Sequence, residues 1–419
     1  MKLLKNAFFT GLILLIQQVN AQQFNLDAEI KPRFEFRNGY STLNSDAVDP
    51  ASFISQRTRL NFDYKGTEFN AFVAAQNVRV WGDAATLSTT DANGITLQQA
   101  WAEAFLGKWS FKLGRQHIAY DTERIFGRAD WNQQGRSHDA LRIKFKPNAT
   151  NRMDIGFALN ETSQSIFEED YTLNNYKNFQ YLWYNTKFNK IGLSFLFLNT
   201  GFAFDDNNEQ KIAYNQTIGL TSALNDNRWS ANASIYLQTG KIENSDLSAL
   251  NASAIINYSL NSEFLVGLGA EYMSGTDMNE TTSDLNSFTP WFGTNHRYNG
   301  IMDYFYVGNH SNSVGLVDIN AKINYSKNKF SANLAPHFFS SAATIVNGNG
   351  IEQDSYLGTE IDLTLGYKAS KSIVFNAGYS QMFASDSMEI IKGGDASMTN
   401  NWAWAMITFK PHFFSYNGN

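Results

Sequence analysis

Apolar and polar residues alternate one for one along most of the chain. Between residues 26 and 37 the apolar series Leu26, Ala28, Ile30, Pro32, Phe34 and Phe36 interleaves with Asp27, Glu29, Lys31, Arg33, Glu35 and Arg37. A period of two places the two series on opposite faces of a β-strand. The run is longer than a typical strand of a soluble sandwich, and its polar face is almost wholly ionic. An apolar band against lipid with a polar face against water accounts for both features. The alternation recurs with Leu141, Ile143 and Phe145 against Arg142, Lys144 and Lys146, and with Met153, Ile155, Phe157 and Leu159 against Arg152, Asp154 and Asn160. Leu357, Ile361, Leu363 and Leu365 stand likewise against Glu360 and Asp362. The pattern predicts strands near 24–38, 52–65, 68–81, 94–107, 109–117, 138–147, 150–162, 175–188, 190–204, 210–222, 227–238, 249–260, 262–274, 313–325, 328–340, 356–367, 371–383 and 401–410. It is poor over 68–81, where Gln76 and Arg79 fall on opposite parities and a β-bulge would reconcile them.

The connections alternate in length. Short turns are expected at Lys65-Gly66-Thr67, Gly107-Lys108, Pro147-Asn148, Asn189-Lys190, Asn225-Asp226, Ser326-Lys327-Asn328 and Ala369-Ser370. Long polar loops are expected near 39–51, 82–93, 118–137, 163–174, 239–248, 275–312, 341–355 and 384–400, with 205–209 short for its position. Short turns on one rim and long loops on the other predict an all-β fold. This is a transmembrane antiparallel β-barrel of about 18 strands, or 16 as the next choice, with short periplasmic turns and long extracellular loops. Barrels of about 16–18 strands are wide enough to hold water in the lumen. Tyr64, Trp101, Trp109, Tyr181, Trp183, Tyr184, Trp229, Tyr258, Tyr367, Tyr379, Trp402 and Trp404 are read as interfacial girdles.

The composition is consistent with this architecture. Lys2 and Lys5, an apolar run from Ala7 to Ile16 and Val19-Asn20-Ala21 form a secretory signal pattern, giving a signal peptide over 1–21 and one barrel domain over 22–419. The run is too short for a membrane anchor, since a spanning helix needs about 20 residues. With 0 Cys, no disulfide framework holds the chain. A net charge of −6 gives no whole-molecule case for nucleic acid as a partner.

Arginine is distributed unevenly. Arg33, Arg37, Arg57, Arg59, Arg79, Arg115, Arg124, Arg128, Arg136, Arg142 and Arg152 all precede residue 153, and only Arg228 and Arg297 follow. Arg33, Arg37, Arg57, Arg59, Arg142 and Arg152 share the face assigned to the lumen, and strands adjacent in sequence make one basic sector of wall. Arg79, Arg115 and Arg136 are counted with them as the path of an anionic solute. Guanidinium suits carboxylate bidentately, and one sign of charge concentrates counter-charged solute. The competing reading is a structural ladder to Asp27, Glu29, Glu35, Asp63, Glu103, Asp139 and Asp154. Two segments are candidate constrictions: 114–142 with Asp130 and Trp131, and the aromatic stretch 288–305 with His296, Arg297 and Asp303.

These residues carry a resemblance. Gly114-Arg115-Gln116, Tyr120, Glu123-Arg124, Asp130-Trp131, Gly135-Arg136-Ser137 and Asp139 with Arg142 look like the alginate export family of outer-membrane barrels. The stretch His296, Tyr298, Gly300 and Met302-Asp303-Tyr304-Phe305 is similar to another segment of it. The resemblance implies a barrel of about 18 strands with an arginine-rich lumen that passes an anionic uronate polymer. It also makes Arg33, Arg57, Arg59, Arg115, Arg136 and Arg142 candidate wall residues. One departure is the tail Pro411–Asn419, which follows the expected final strand.

Other classes leave little trace. No nucleophile-elbow serine or HExxH motif occurs, so an enzyme is not expected, nor is a metal or cofactor. Asp205-Asp206-Asn207-Asn208-Glu209 is rich in oxygen ligands but lacks EF-hand spacing, and reads as a hairpin tip. The expected partners are outer-membrane lipid and an anionic sugar polymer or small polar solutes; the sequence leaves the oligomeric state open, a monomer included. A weakly selective porin is the alternative function.

Overall fold

The computed structural model describes residues 21–88, 93–173 and 175–418. The signal-peptide reading therefore lies, save for Ala21, outside the described residues. The wall begins with β1 (Ala21–Asn38), β2 (Ala51–Gly66), β3 (Phe69–Val80), β4 (Thr96–Leu106), β5 (Trp109–Gln116) and β6 (His138–Phe145). It continues through β7 (Asn151–Leu159), β8 (Tyr176–Phe188), β9 (Ile191–Asp206), β10 (Glu209–Asp226), β11 (Trp229–Ile242), β12 (Ser245–Ser259) and β13 (Phe264–Met273). The circuit is completed by β14 (Leu316–Lys327), β15 (Phe330–Ser340), β16 (Tyr356–Lys368), β17 (Ile373–Ala384), β18 (Asn400–Phe409) and β19 (His412–Asn417). From β1 to β18 each strand pairs antiparallel with its sequence neighbour, and β1 closes the ring onto both β18 and β19.

The tail beyond Lys410 is not an appendage. β18 meets the extracellular half of β1 and β19 its other half, so the two are one stave of an 18-stranded barrel. Pro411 cannot donate to the ladder, and the break falls there, with a register shift between Leu26 and Asp27. The Pro411 carbonyl still accepts from the Ala28 amide at 3.0 Å. Closure matters because an unpaired edge in hydrocarbon would leave a row of backbone groups unsatisfied, each at several kcal/mol.

The faces fall as the alternation predicts. On β1, Lys31, Arg33 and Glu35 are buried inside while Ile30 and Phe34 are exposed on the outside. Leu60 and Phe62 on β2, Leu113 on β5 and Leu363 on β16 lie on the same outer surface. At the short-turn rim, rings pair across strands: Trp109 with Phe145 at 4.3 Å, Trp229 with Tyr258 at 4.6 Å and Phe264 with Tyr325 at 4.8 Å. Tyr181, Trp183, Trp402 and Trp404 are not part of a girdle. They are buried on the inner face, because parity sends them to the lumen.

Two details of the wall differ from expectation. The bulge expected within 68–81 is absent: Gln76 and Arg79 simply face opposite sides of β3, and the irregularity lies in the partner strand. Ala74 pairs with Gln99 and Ala75 with Leu97, so Gln98 of β4 is the extra residue and turns into the lumen, bonding Ser137 at 3.0 Å. The segment 239–248 is not a long loop. β11 and β12 run on to Ile242 and Ser245, just as β9 and β10 reach Asp206 and Glu209. These two hairpins extend past the others as ladder, with Lys211–Asp206 and Lys241–Asp246 ion pairs at their tips.

The loop between β17 and β18 carries one short helix, α1 (Asp386–Lys392), which buries Ser387 and Met388. Lys392 lies over the Phe305 ring at 5.3 Å, and burial pushes its ammonium down to about 7. With the loop released, that lysine regains its ordinary value of 10.5 and binds a proton that the docked form has shed. Docking should therefore tighten as pH rises through the window from about 7 to 10.5, and the cost of burying the charge is fully present below it. Amide exchange over 386–393 is expected to slow, after intrinsic correction, between about pH 7 and 9, and Lys392→Met to flatten the dependence.

Candidate functional site in the lumen

Two connections fold inward rather than outward. One joins β5 to β6 over 117–137, and the other joins β13 to β14 over 274–315. They meet in a parallel bridge between Phe126 and Phe292, where Gly127 N–H donates to Phe292 O at 2.8 Å and Phe292 N–H to Ile125 O at 3.0 Å, and beside it Thr294 N–H donates to Glu123 O at 2.9 Å. Around this seam lies an apolar core inside the barrel. Phe126 and Phe292 stack at 5.5 Å and pack against His138, Tyr176 and Phe179 of the wall. Tyr304 and Phe305 extend the core towards Phe339. Such aromatic loops cannot stay solvated, and the wall presents inward rings to receive them.

The basic sector holds the first loop. Arg57 bridges Glu29 of β1 and Asp130 of the loop, the latter at 2.9 Å. Lys31 donates to the Asp130 carbonyl at 2.9 Å and Arg33 to the Trp131 carbonyl at 2.7 Å. Gln76 donates to the Gln134 carbonyl at 2.9 Å while its own oxygen receives Arg59 at 2.7 Å. Burial would raise the Asp130 carboxyl, but Arg57 and Lys31 outweigh it and hold the group below its usual value. Trp131 has the Arg33 guanidinium at 3.9 Å and the His296 ring stacked at 4.4 Å. Both could not share one face at those distances without overlapping, so each takes its own. Trp131 is therefore a keystone between wall and loop rather than an open platform.

The second loop is fixed by acids of the wall. Arg124 pairs with Glu271 at 2.8 Å, and Asn299 donates to Glu271 at 2.9 Å. Met302 N–H donates to Glu360 at 2.8 Å. His296 bonds Asp303 at 2.6 Å, and Tyr40 donates to the same carboxylate. Arg136 ties the loops together through the Gly293 carbonyl at 2.6 Å. On the wall below, Asp154 receives Arg142 at 2.8 Å and Arg152 at 2.7 Å.

The expected path residues thus divide. Arg33, Arg37, Arg57, Arg59, Arg142 and Arg152 face the lumen, and Arg136 faces it from the loop. Two do not. Arg79 pairs with Gln56, which shares the outward parity of Leu60 and Phe62. Arg115 shares the parity of exposed Leu113 and pairs with Asp139 at 2.7 Å on the outer surface. Asp130, Trp131, His296 and Asp303 are brought together, while Arg297 points into a separate space. Arg124, Lys31 and Lys322 were missed as site residues. Lys31 was already legible from its place in the β1 alternation.

The folded-in loops leave two cavities. One of about 250 Å³ opens on the long-loop side and is lined by Arg33, Arg37, Trp131, Arg136, His296 and Asp303. The other, of about 560 Å³, lies towards the short-turn side and includes Asn185, Asn257, Arg297, Lys322 and Asn333. A Ser–His–Asp arrangement also occurs. His412 Nδ1 lies 2.6 Å from Asp27 and His412 Nε2 lies 2.8 Å from Ser415 Oγ. Ser415 Oγ is however also 2.8 Å from the Asn25 amide oxygen, which can only accept its proton. Ser415 and Asn25 are paired in the β1–β19 ladder, which leaves no cluster of free amides there to stabilise an oxyanion.

Comparison with known proteins gives the following. A family model described as Alginate export matches residues 22–403. Among solved structures, Acinetobacter baumannii OccAB4 superposes with a TM-score of 0.65 at 12% identity, covering 94% of this chain and 100% of that one. Pseudomonas aeruginosa OccK9 (OpdG) gives 0.64 at 10% identity, covering 93% and 98%. Pseudomonas aeruginosa OccK2 (OpdF), solved in complex with glucuronate, gives 0.64 at 12% identity with the same coverage. At these identities the likeness is one of fold. No match was found among curated proteins.

Proposed function

The chain belongs to the alginate export family and is a bacterial outer-membrane barrel of the channel type, and on that premise we propose that it passes an anionic, uronate-like oligo- or polysaccharide passively. The observation that carries this reading is the small cavity on the long-loop side. Arg33, Arg37 and Arg136 converge there, and its one carboxylate, Asp303, is already engaged by His296 and Tyr40. A solute entering from outside meets a net positive mouth above the folded-in loops. A channel site must also release what it binds, which suits a partly solvated guanidinium such as that of Arg37.

A weakly selective pore for small polar solutes is the second reading. It is favoured by the pairing of Arg33, Arg37, Arg57, Arg142 and Arg152 with carboxylates, which spends much of the basic sector on structure. Reversal potentials of the purified protein in planar bilayers under a salt gradient separate the two. Anion preference with current block by uronate oligomers is expected. Cation preference would remove the carrier reading. Arg57, Arg59 and Arg142 replaced together by Ser should lower anion preference without stopping insertion.

A further inference from the structure

The larger cavity differs in chemistry from the basic sector. Its wall comes from the later strands, which are poor in arginine, and is built of amides and hydroxyls. Asn320 and Asn324 of β14, Asn333 of β15 and Asn257 of β12 all line it. Two cations join them, Arg297 from the second loop and Lys322 from β14. Among the described residues neither makes an ion pair, in contrast to Arg33, Arg57 and Arg142.

The acids that border this chamber are largely engaged, with one Asp362 oxygen left without a hydrogen-bond partner. Glu271 receives Arg124, Asn251 and Asn299. Asp318 receives His337 at 3.0 Å and Asn299 at 3.2 Å, and Asp362 accepts from Ser380 at 2.5 Å. Asp121 accepts from Ser194 at 2.5 Å and Trp183 at 3.0 Å, and burial raises its pKa. The positive charge of Arg297 and Lys322 is thus left facing the space.

The space itself has a sequence cause. Lys322 pairs across strands with Gly267, and Asn320 with Gly269. A Cβ on Gly267 would meet the Lys322 stem at 2.9 Å, and one on Gly269 would meet Asn320 at 2.5 Å. The two glycines give the basic and amide side chains room to lie down along the inner face of β13. Nearby, the buried Asn257 amide donates to Ser230 at 3.2 Å, yet its oxygen has no partner in the protein.

We infer that this chamber is a binding station for one carboxylated sugar residue, its carboxylate held between Arg297 and Lys322 and its hydroxyls by the asparagine wall. The inference rests on the anionic-sugar reading above and assigns its grip to the arginine-poor half of the barrel. The planar guanidinium takes a carboxylate bidentately and the ammonium adds a mobile point charge. The asparagine side chains both donate and accept, as hydroxyls require. A volume of about 560 Å³ lies within the usual range of small-ligand sites.

The test is concentration-dependent current block in planar bilayers with glucuronate, glucose and acetate as probes. Glucuronate is expected to block wild-type protein at concentrations at least tenfold below either control. The double variant Arg297→Gln/Lys322→Gln should weaken glucuronate block about tenfold, the loss of roughly one charged hydrogen-bonded contact. Arg297→Lys/Lys322→Arg should keep most of it, which separates lost binding from lost folding. If wild type prefers cations and glucuronate does not block it, the functional reading and this inference fall together. If wild type is blocked but the double glutamine variant is blocked equally well, the station alone is wrong. Acetate as strong as glucuronate would also overturn it, because the asparagine wall would then add nothing.

Discussion

Replacing Arg57 by Ala is expected to raise single-channel conductance several-fold while the barrel still inserts. Arg57 is almost fully buried and bridges Glu29 of β1 to the loop carboxylate of Asp130, which Arg59 also approaches at 3.8 Å. Its removal leaves Glu29 and Asp130 facing each other in a site built for a cation between them. Asp130 is half-exposed and keeps Arg59 at 3.8 Å, and Glu29 keeps Lys410 at 3.5 Å, so the loss stays below the roughly 3–5 kcal/mol of breaking a fully buried pair. The barrel wall is fixed by its closed ladder of backbone bonds, which Arg57 does not carry. The loop has less to hold it, and relief comes by lifting residues 130–134 off the wall. Asp130→Asn should act in the same direction but more weakly, because Arg57 then keeps its pair with Glu29 and its bond to the Gln133 carbonyl of the loop. Conductance in planar bilayers and protease access to 128–136 check this together. Wild-type conductance in Arg57→Ala, with the loop still protected, would mean that the basic sector does not latch it.

The latch explains why the lumen was harder to read than the wall. Parity alone places Leu113 outside and Arg142 inside, because lipid and water impose a strict period of two on every stave. The same rule, followed through the register, sends Arg79 and Arg115 outward. Sequence reasoning kept both in the lumen because it weighed residue type and family likeness above parity. The bulge at Gln98 lies in the partner strand, and a one-residue insertion in β4 leaves no trace in the alternation of β3. The tail beyond Pro411 looked like a departure because proline breaks the pattern, yet β1 is long enough to pair with both halves. Loop contacts obey no period. That 117–137 and 274–315 turn inward could be suspected from Trp131 and the aromatic run 288–305, but which arginines serve the loop and which the solute depends on partners far apart in sequence. The Asn-rich chamber gave no signal, since single asparagines on inward positions are ordinary for any water-facing strand.

The largest change in sieving is expected from the apolar seam. In Phe126→Ala/Phe292→Ala, proteoliposomes should swell measurably faster with neutral oligosaccharides that wild type admits slowly. Both rings are nearly or fully buried, and they stack on each other where the loops pair. Each truncation of a buried phenylalanine costs about 3–5 kcal/mol. The polar ties at the seam, such as Arg136 to the Gly293 carbonyl, are worth only about 1–3 kcal/mol each and cannot offset the loss of both rings. His138, Tyr176 and Phe179 would then line open water instead of a packed core, which favours separation of the loops over collapse of the wall. Selectivity should shift less than size exclusion, because Arg37, Arg297 and Lys322 do not depend on these rings for their charge. Swelling rates that rise equally for glucose and for a tetrasaccharide would indicate general leakiness of the barrel. A rise confined to the larger sugar is the signature of a partition that has opened.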